Sequence, residues 1–153
     1  MKKGLLLIAL LFSFSLFSQK KIAEQVAILQ DLNTTFKKVS VLTPDATINK
    51  NDVEKVVNDA TLAKLNTTKL NQFFVAKDKF IELDIPYQNQ VISVLLYKVN
   101  PFTEDFQIDT DKSKNIAYQK GVHYRGIIKN DMNSVSSFNF FNGEFNGIIS
   151  SES

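Results

Sequence analysis

The chain is 153 residues long, enough for one domain with a self-supporting core once any targeting segment is removed. Its formal charge of +2 comes from Lys2 and Lys3, and residues 19–153 balance sixteen Lys and Arg against sixteen Asp and Glu, so charge makes no case for nucleic acid or an anionic membrane as partner. The absence of Cys excludes disulfides, thiolate metal sites, a Cys nucleophile and acylation of a lipobox cysteine.

Residues 1–18, MKKGLLLIALLFSFSLFS, place a Lys pair before an apolar run from Leu5 to Phe17 that holds only two serines. This is the pattern of a cleavable secretory signal peptide, with the cut expected after Ser18. The run falls short of the roughly 20 apolar residues a spanning helix needs. Export to the periplasm or the extracellular space is therefore expected.

From Lys20 to Phe36, the residues Ile22, Val26, Leu29 and Phe36 recur at helical spacing and predict an amphipathic helix that docks on its own domain. Residues 37–51, with the turn signal Thr43-Pro44-Asp45, read as a connector. In residues 52–74, Asp52 is a cap for a short helix burying Val53, Val56 and Val57, and Thr67 a cap for another burying Leu70, Phe73 and Phe74. Between them, Ala60 to Leu65 is read as a short strand.

After Ala76 the period changes to two. Ile81, Leu83 and Ile85 oppose Glu82 and Asp84, as in a half-buried strand that Pro86 ends. A turn at Tyr87 to Asn89 leads into Val91 to Val99, apolar on both faces and so expected to be a central strand. Phe106 with Ile108, and Ile116 with Tyr118, predict two short strands around a charged loop from Asp109 to Asn115.

The last third reads as two consecutive hairpins. Val122, Tyr124, Gly126 and Ile128 alternate with His123, Arg125, Ile127 and Lys129, and Asn130 to Asn133 turn the chain. A second strand from Ser134 to Phe141 meets Asn142-Gly143, a signal for a two-residue type I′ turn. That turn sets Phe141 opposite Glu144, Phe140 opposite Phe145, Asn139 opposite Asn146, Phe138 opposite Gly147 and Ser136 opposite Ile149. One face then holds Phe138, Phe140, Phe145 and Ile149, with Phe138 lying over Gly147. The fold expected is α+β: a helical N-terminal part, then a mainly antiparallel β-sheet or sandwich ending in two hairpins.

The segment GVHYRGIIKNDMNSVSSFNFFNGEFNGIIS resembles part of the propeptide of reprolysin-type zinc metalloproteases, the ADAM and snake-venom class. In that family a Cys-His-Tyr-x-Gly run precedes a turn, a Ser-containing strand and a Gly-x-x-Gly-like hairpin. His123, Tyr124 and Gly126 match the first element, Ser134 and Ser137 the strand, and Gly147, Ile148 and Ile149 the end. The upstream FIELDIPY and VISVLLYKV strands follow the family in pattern. Val122 stands where the family usually has Cys, and the inhibitory cysteine segment and the HExxHxxGxxH zinc motif are absent from these residues. The chain thus divides into a signal peptide over 1–18, a helix and connector over 19–51, and residues 52–153, which the resemblance makes a propeptide-like domain truncated at its C-terminus. Its role would be folding assistance and latency of a protease domain; the partner bound through the C-terminal sheet edge would be that protease domain or another protein. It implies no catalytic residue, metal or cofactor here. A stand-alone exported binding or adhesion module is the alternative.

His123 has no second His to complete a zinc site. Asp109, Asp111, Ser113 and Asn115 alternate like the start of a calcium loop, but Lys114 and Lys120 occupy the positions that need Gly and Glu. Glu82, Glu104 and Asp105 have no evident reason to converge, and Ser134, Ser136 and Ser137 lack a nucleophile elbow.

Overall fold

A computed structural model describes residues 20–45, 47, 57 and 60–152. The expected signal peptide and the helix expected after Asp52 lie outside them, apart from Val57, which is exposed rather than buried.

Helix α1 spans residues 20–31. It buries Ala23, Val26 and Leu29, three residues apart, on one stripe. It is shorter than its apolar pattern because Asn33 takes a left-handed φ of 52° and Thr34 N–H closes on the Leu29 carbonyl. Phe36 thus reaches the same cluster from an extended link and packs on Phe80, ring centroids 5.9 Å apart.

The stretch expected as a connector holds two strands instead, β1 (Lys37–Val39) and β2 (Leu42–Pro44). Val39 and Val41 are the reason, since both are buried in the main core. Strand β2 pairs with β3 (Ala63–Leu65), the short strand read from the sequence, in a two-stranded antiparallel unit. Helix α2 (Thr67–Ala76) buries Leu70, Phe73 and Phe74 as expected. Its cap is Asn66, not Thr67: the Asn66 side chain accepts from Lys69 N–H at 2.9 Å. Lys77 ends it at φ 51°.

Among the described residues the principal sheet has six strands in the order β1-β4-β5-β6-β7-β8. The remaining strands are β4 (Phe80–Tyr87), β5 (Gln90–Val99), β6 (Val122–Ile128), β7 (Val135–Phe140) and β8 (Phe145–Ser150). Only β1 is parallel to its neighbour, matching Lys37 with Ile81 and Val39 with Leu83. From β4 onward every pairing is antiparallel and joins sequence neighbours.

Pro86 does not end β4; it faces Val91 inside the hairpin. Strand β1 reaches only as far as Leu83, so the missing N–H at Pro86 falls on an unpaired edge. The turn is Gln88-Asn89, with φ 45° and 64°. Two positive φ values make it the type I′ turn that the sequence reading placed at Asn142-Gly143. At the latter only Gly143 is left-handed, with φ 87°, so that turn is of another type. Phe141 N–H still bonds the Glu144 carbonyl, and the register is as expected.

Residues 100–121 form no strand. The two short strands expected there are absent, although Ile116 N–H bonds the Ile108 carbonyl across the charged loop. The aromatic residues there cluster instead, Phe102 on Phe106 at 4.5 Å and on Tyr118 at 6.5 Å, with Lys120 Nζ 5.3 Å from the Phe102 ring centre.

One sheet face packs Ile81, Leu83, Val94, Leu96, Val122, Tyr124, Phe138 and Phe140 against α2 and the Val41 region. The other packs Leu95 and Ile127 against Ala23 and Val26 of α1. The described residues form an α+β fold, a mainly antiparallel sheet with a helix on each side and the small β2–β3 unit beside it, rather than a sandwich.

Candidate functional site

The residues singled out in the last third come together on β6, β7 and β8, an antiparallel meander at one side of the sheet. Most of them build it. Tyr124 is fully buried, donates its hydroxyl to the Asp78 carbonyl at 2.7 Å, and packs on Phe73 and Phe140. Burial, and secondarily the Asp78 carboxylate, push its phenol well above the usual tyrosine range. Tyr97, across the sheet, is also raised by burial, against the opposing pull of Arg125.

Gly126 is required by close approach: a Cβ there would sit 1.8 Å from the Leu95 carbonyl oxygen of β5. At Gly147 the obstacle is a side chain, since a Cβ would lie 2.2 Å from the Phe138 ring. Phe138 therefore does cover Gly147. Phe140 stacks on Phe145 at 5.2 Å, and Phe145 and Ile149 are half-buried against the core.

The serines divide by role. Ser134 closes the β6–β7 turn, donating to the Asp131 carbonyl at 2.6 Å and accepting from Ile128 N–H at 2.8 Å. Ser137 is exposed on the α1 side, opposite Arg125 and Ile148. Ser136 is buried with no partner for its hydroxyl. No sequence signal separates Ser134 from Ser136; the difference is one of position relative to the turn.

His123 lies in a polar ladder across three strands that sequence reading did not single out. Its Nδ1 is 2.7 Å from Asn139 Oδ1, and Asn139 Nδ2 donates to Asn146 Oδ1 at 3.0 Å. Because Asn139 gives its amide hydrogen to Asn146, its oxygen faces the imidazole and Nδ1 carries the proton. Nε2 is buried without a partner, and the ring sits edge-on to Phe102 at 5.4 Å and Phe141 at 6.2 Å. The period-two register made this ladder findable, since His123 faces Asn139 and Asn139 faces Asn146.

Among the described residues no three His, Asp or Glu side chains gather to hold a metal ion. Asp109 accepts from Asn115 N–H at 2.8 Å, which folds the would-be calcium loop back on itself. Glu82 pairs with Lys129 at 2.9 Å, and Asp84 accepts from Ser93 at 2.8 Å. A groove of 410 Å³ between β1 and α2 is lined by Lys37, Lys38, Ser40, Lys69 and Gln72 among others, and a smaller one of 240 Å³ lies beside Phe106 and Tyr118. Neither holds an acid–base pair.

The exposed feature of the meander is β8. Among the described residues it pairs only with β7, and Ile148 on it is 74% exposed. The fold and this edge define an α+β domain with a one-sided, open sheet margin. No family model, curated protein or solved structure matches the chain. No helix among the described residues is long and apolar enough to cross a membrane.

Proposed function

We propose that the chain is a non-catalytic, exported propeptide-like domain that assists the folding and latency of a reprolysin-like zinc metalloprotease. The reading is supported by one observation above all: the residues that carry the resemblance, apart from Ser134 in the β6–β7 turn, occupy three consecutive strands that finish on the open edge β8. An edge strand offers unpaired backbone groups to whatever follows or binds. The protease domain would dock there, with this chain supplying no catalytic group.

The coding sequence beyond residue 153 is the first test. An in-frame HExxHxxGxxH segment is expected downstream, and a stop codon with no such frame nearby overturns the reading. Where the frame is present, the chain added in trans should slow peptide cleavage by that protease domain.

A stand-alone exported binding module is the second reading. It is favoured by the covering of both sheet faces by the chain's own helices. An independent module unfolds in one sharp thermal transition, whereas a truncated propeptide loses cooperativity or aggregates.

A further inference from the structure

Strand β8 lacks the devices that keep a sheet edge from pairing. Phe145–Ser150 carries no charge and no proline, and its register with β7 runs without a bulge. The opposite edge, β1, is three residues long and carries Lys37 and Lys38. The bond from Phe141 N–H to the Glu144 carbonyl fixes which groups face out. By alternation along an antiparallel ladder, Asn146, Ile148 and Ser150 bond β7, while Phe145, Gly147 and Ile149 turn their N–H and C=O outward. Asn146 has already spent its oxygen on Asn139, which leaves its amide hydrogens available.

We infer that β8 pairs antiparallel with β8 of a second copy, about a twofold axis at Ile148. Outward residues must face outward residues, so a symmetric pairing has to be centred on a residue that meets its own copy. Centred on Gly147, the pairing sets Asn146 against Ile148, an amide against an aliphatic chain. Centred on Asn146, it leaves Ile148 beside Glu144 at the rim. Centred on Ile148, the two isoleucines close on each other and Asn146 faces Ser150, whose hydroxyl accepts the spare amide hydrogen. Gly147 and Ile149 then exchange both backbone bonds with Ile149 and Gly147 of the second copy. Pairing stops where Glu144 meets Glu152. This dimer goes beyond the propeptide reading and does not depend on it. A docking protease strand and a second copy would compete for one edge.

The chain has no Cys, so Ile148→Cys supplies a single thiol. In a non-hydrogen-bonded antiparallel pair the Cα atoms approach to about 4.5 Å, within the span of a disulfide. Val91→Cys, at a position 63% exposed elsewhere on the sheet, is the control for random collision. Under mild oxidation the Ile148→Cys chain should form a covalent dimer at least about ten-fold faster than the control. Sedimentation equilibrium from about 1 μM to about 1 mM should show the native chain passing from monomer to dimer, and Ile148→Lys should remain monomeric with an unchanged melting temperature. A monomer throughout, equal cross-linking at both positions, a dimer that survives Ile148→Lys, or growth beyond the dimer would each overturn the pairing. If Ile148→Lys unfolds, the cross-linking comparison still decides.

Discussion

Two glycines in the meander meet different obstacles, and that difference is measurable. At Gly147 the Phe138 ring can swing aside, so Gly147→Ala should cost about 1–3 kcal/mol, the range of an overpacked core. At Gly126 the obstacle is the β5 backbone, which has no rotamer to change, so Gly126→Ala should cost more than Gly147→Ala when both are measured by urea titration, or abolish folding. The serines give the converse contrast. Ser134→Ala orphans Ile128 N–H and should lose about 1–3 kcal/mol, while Ser136→Ala removes a buried hydroxyl with no partner and should be neutral or slightly stabilising. Tyr124 sets an alkaline limit. Its folded phenol titrates above its unfolded value of about 10, so its contribution is complete below that pH and is lost as pH rises toward the folded value. Melting temperature should fall above about pH 10, and less steeply in Tyr124→Phe, which also gives up the bond to the Asp78 carbonyl at about 0.5–1.5 kcal/mol.

At the scale of elements, the cap of α2 separates two sequence readings. Asn66→Ala should cost about 1 kcal/mol in thermal unfolding, and Thr67→Ala should be close to neutral, because only Asn66 reaches the Lys69 amide. Both residues are good caps in isolation, so local chemistry did not choose between them. Strands with strict alternation were legible: β4, β6, β7 and β8 follow from their apolar faces, and a short turn was enough to transmit register from Phe140 to Phe145 even though its type was misread. What did not show was anything set by distant partners. Lys37–Val39 is too short to declare itself, and it becomes a strand because β4 lies alongside. Phe106, Ile108, Ile116 and Tyr118 have the composition of strands, yet Phe102 and Lys120 gather the aromatic pair into a surface cluster instead. The polar ladder from His123 to Asn146 was implicit in the register, but nothing in composition marks those three residues as partners.

For the whole molecule, what matters is the distance along the chain between surfaces that cover each other. From β4 to β8 every strand pairs with the next, through short turns everywhere except the connection at residues 100–121, so most of the sheet closes at modest entropic cost. The exceptions are at the beginning. Strand β1 waits for β4, and α1 lies on Leu95 and Ile127, residues that come much later. A chain delivered N-terminus first therefore presents the apolar stripe of α1 well before its cover exists. On nascent chains arrested at successive lengths, Val26 should resist proteolysis only once Ile127 has emerged, and protection appearing before Ile127 is out would contradict this order. If the chain is exported as proposed, threaded unfolded through a membrane, the earliest segment to arrive would be the last to find its place, and the far side would need a holding factor for it in the meantime.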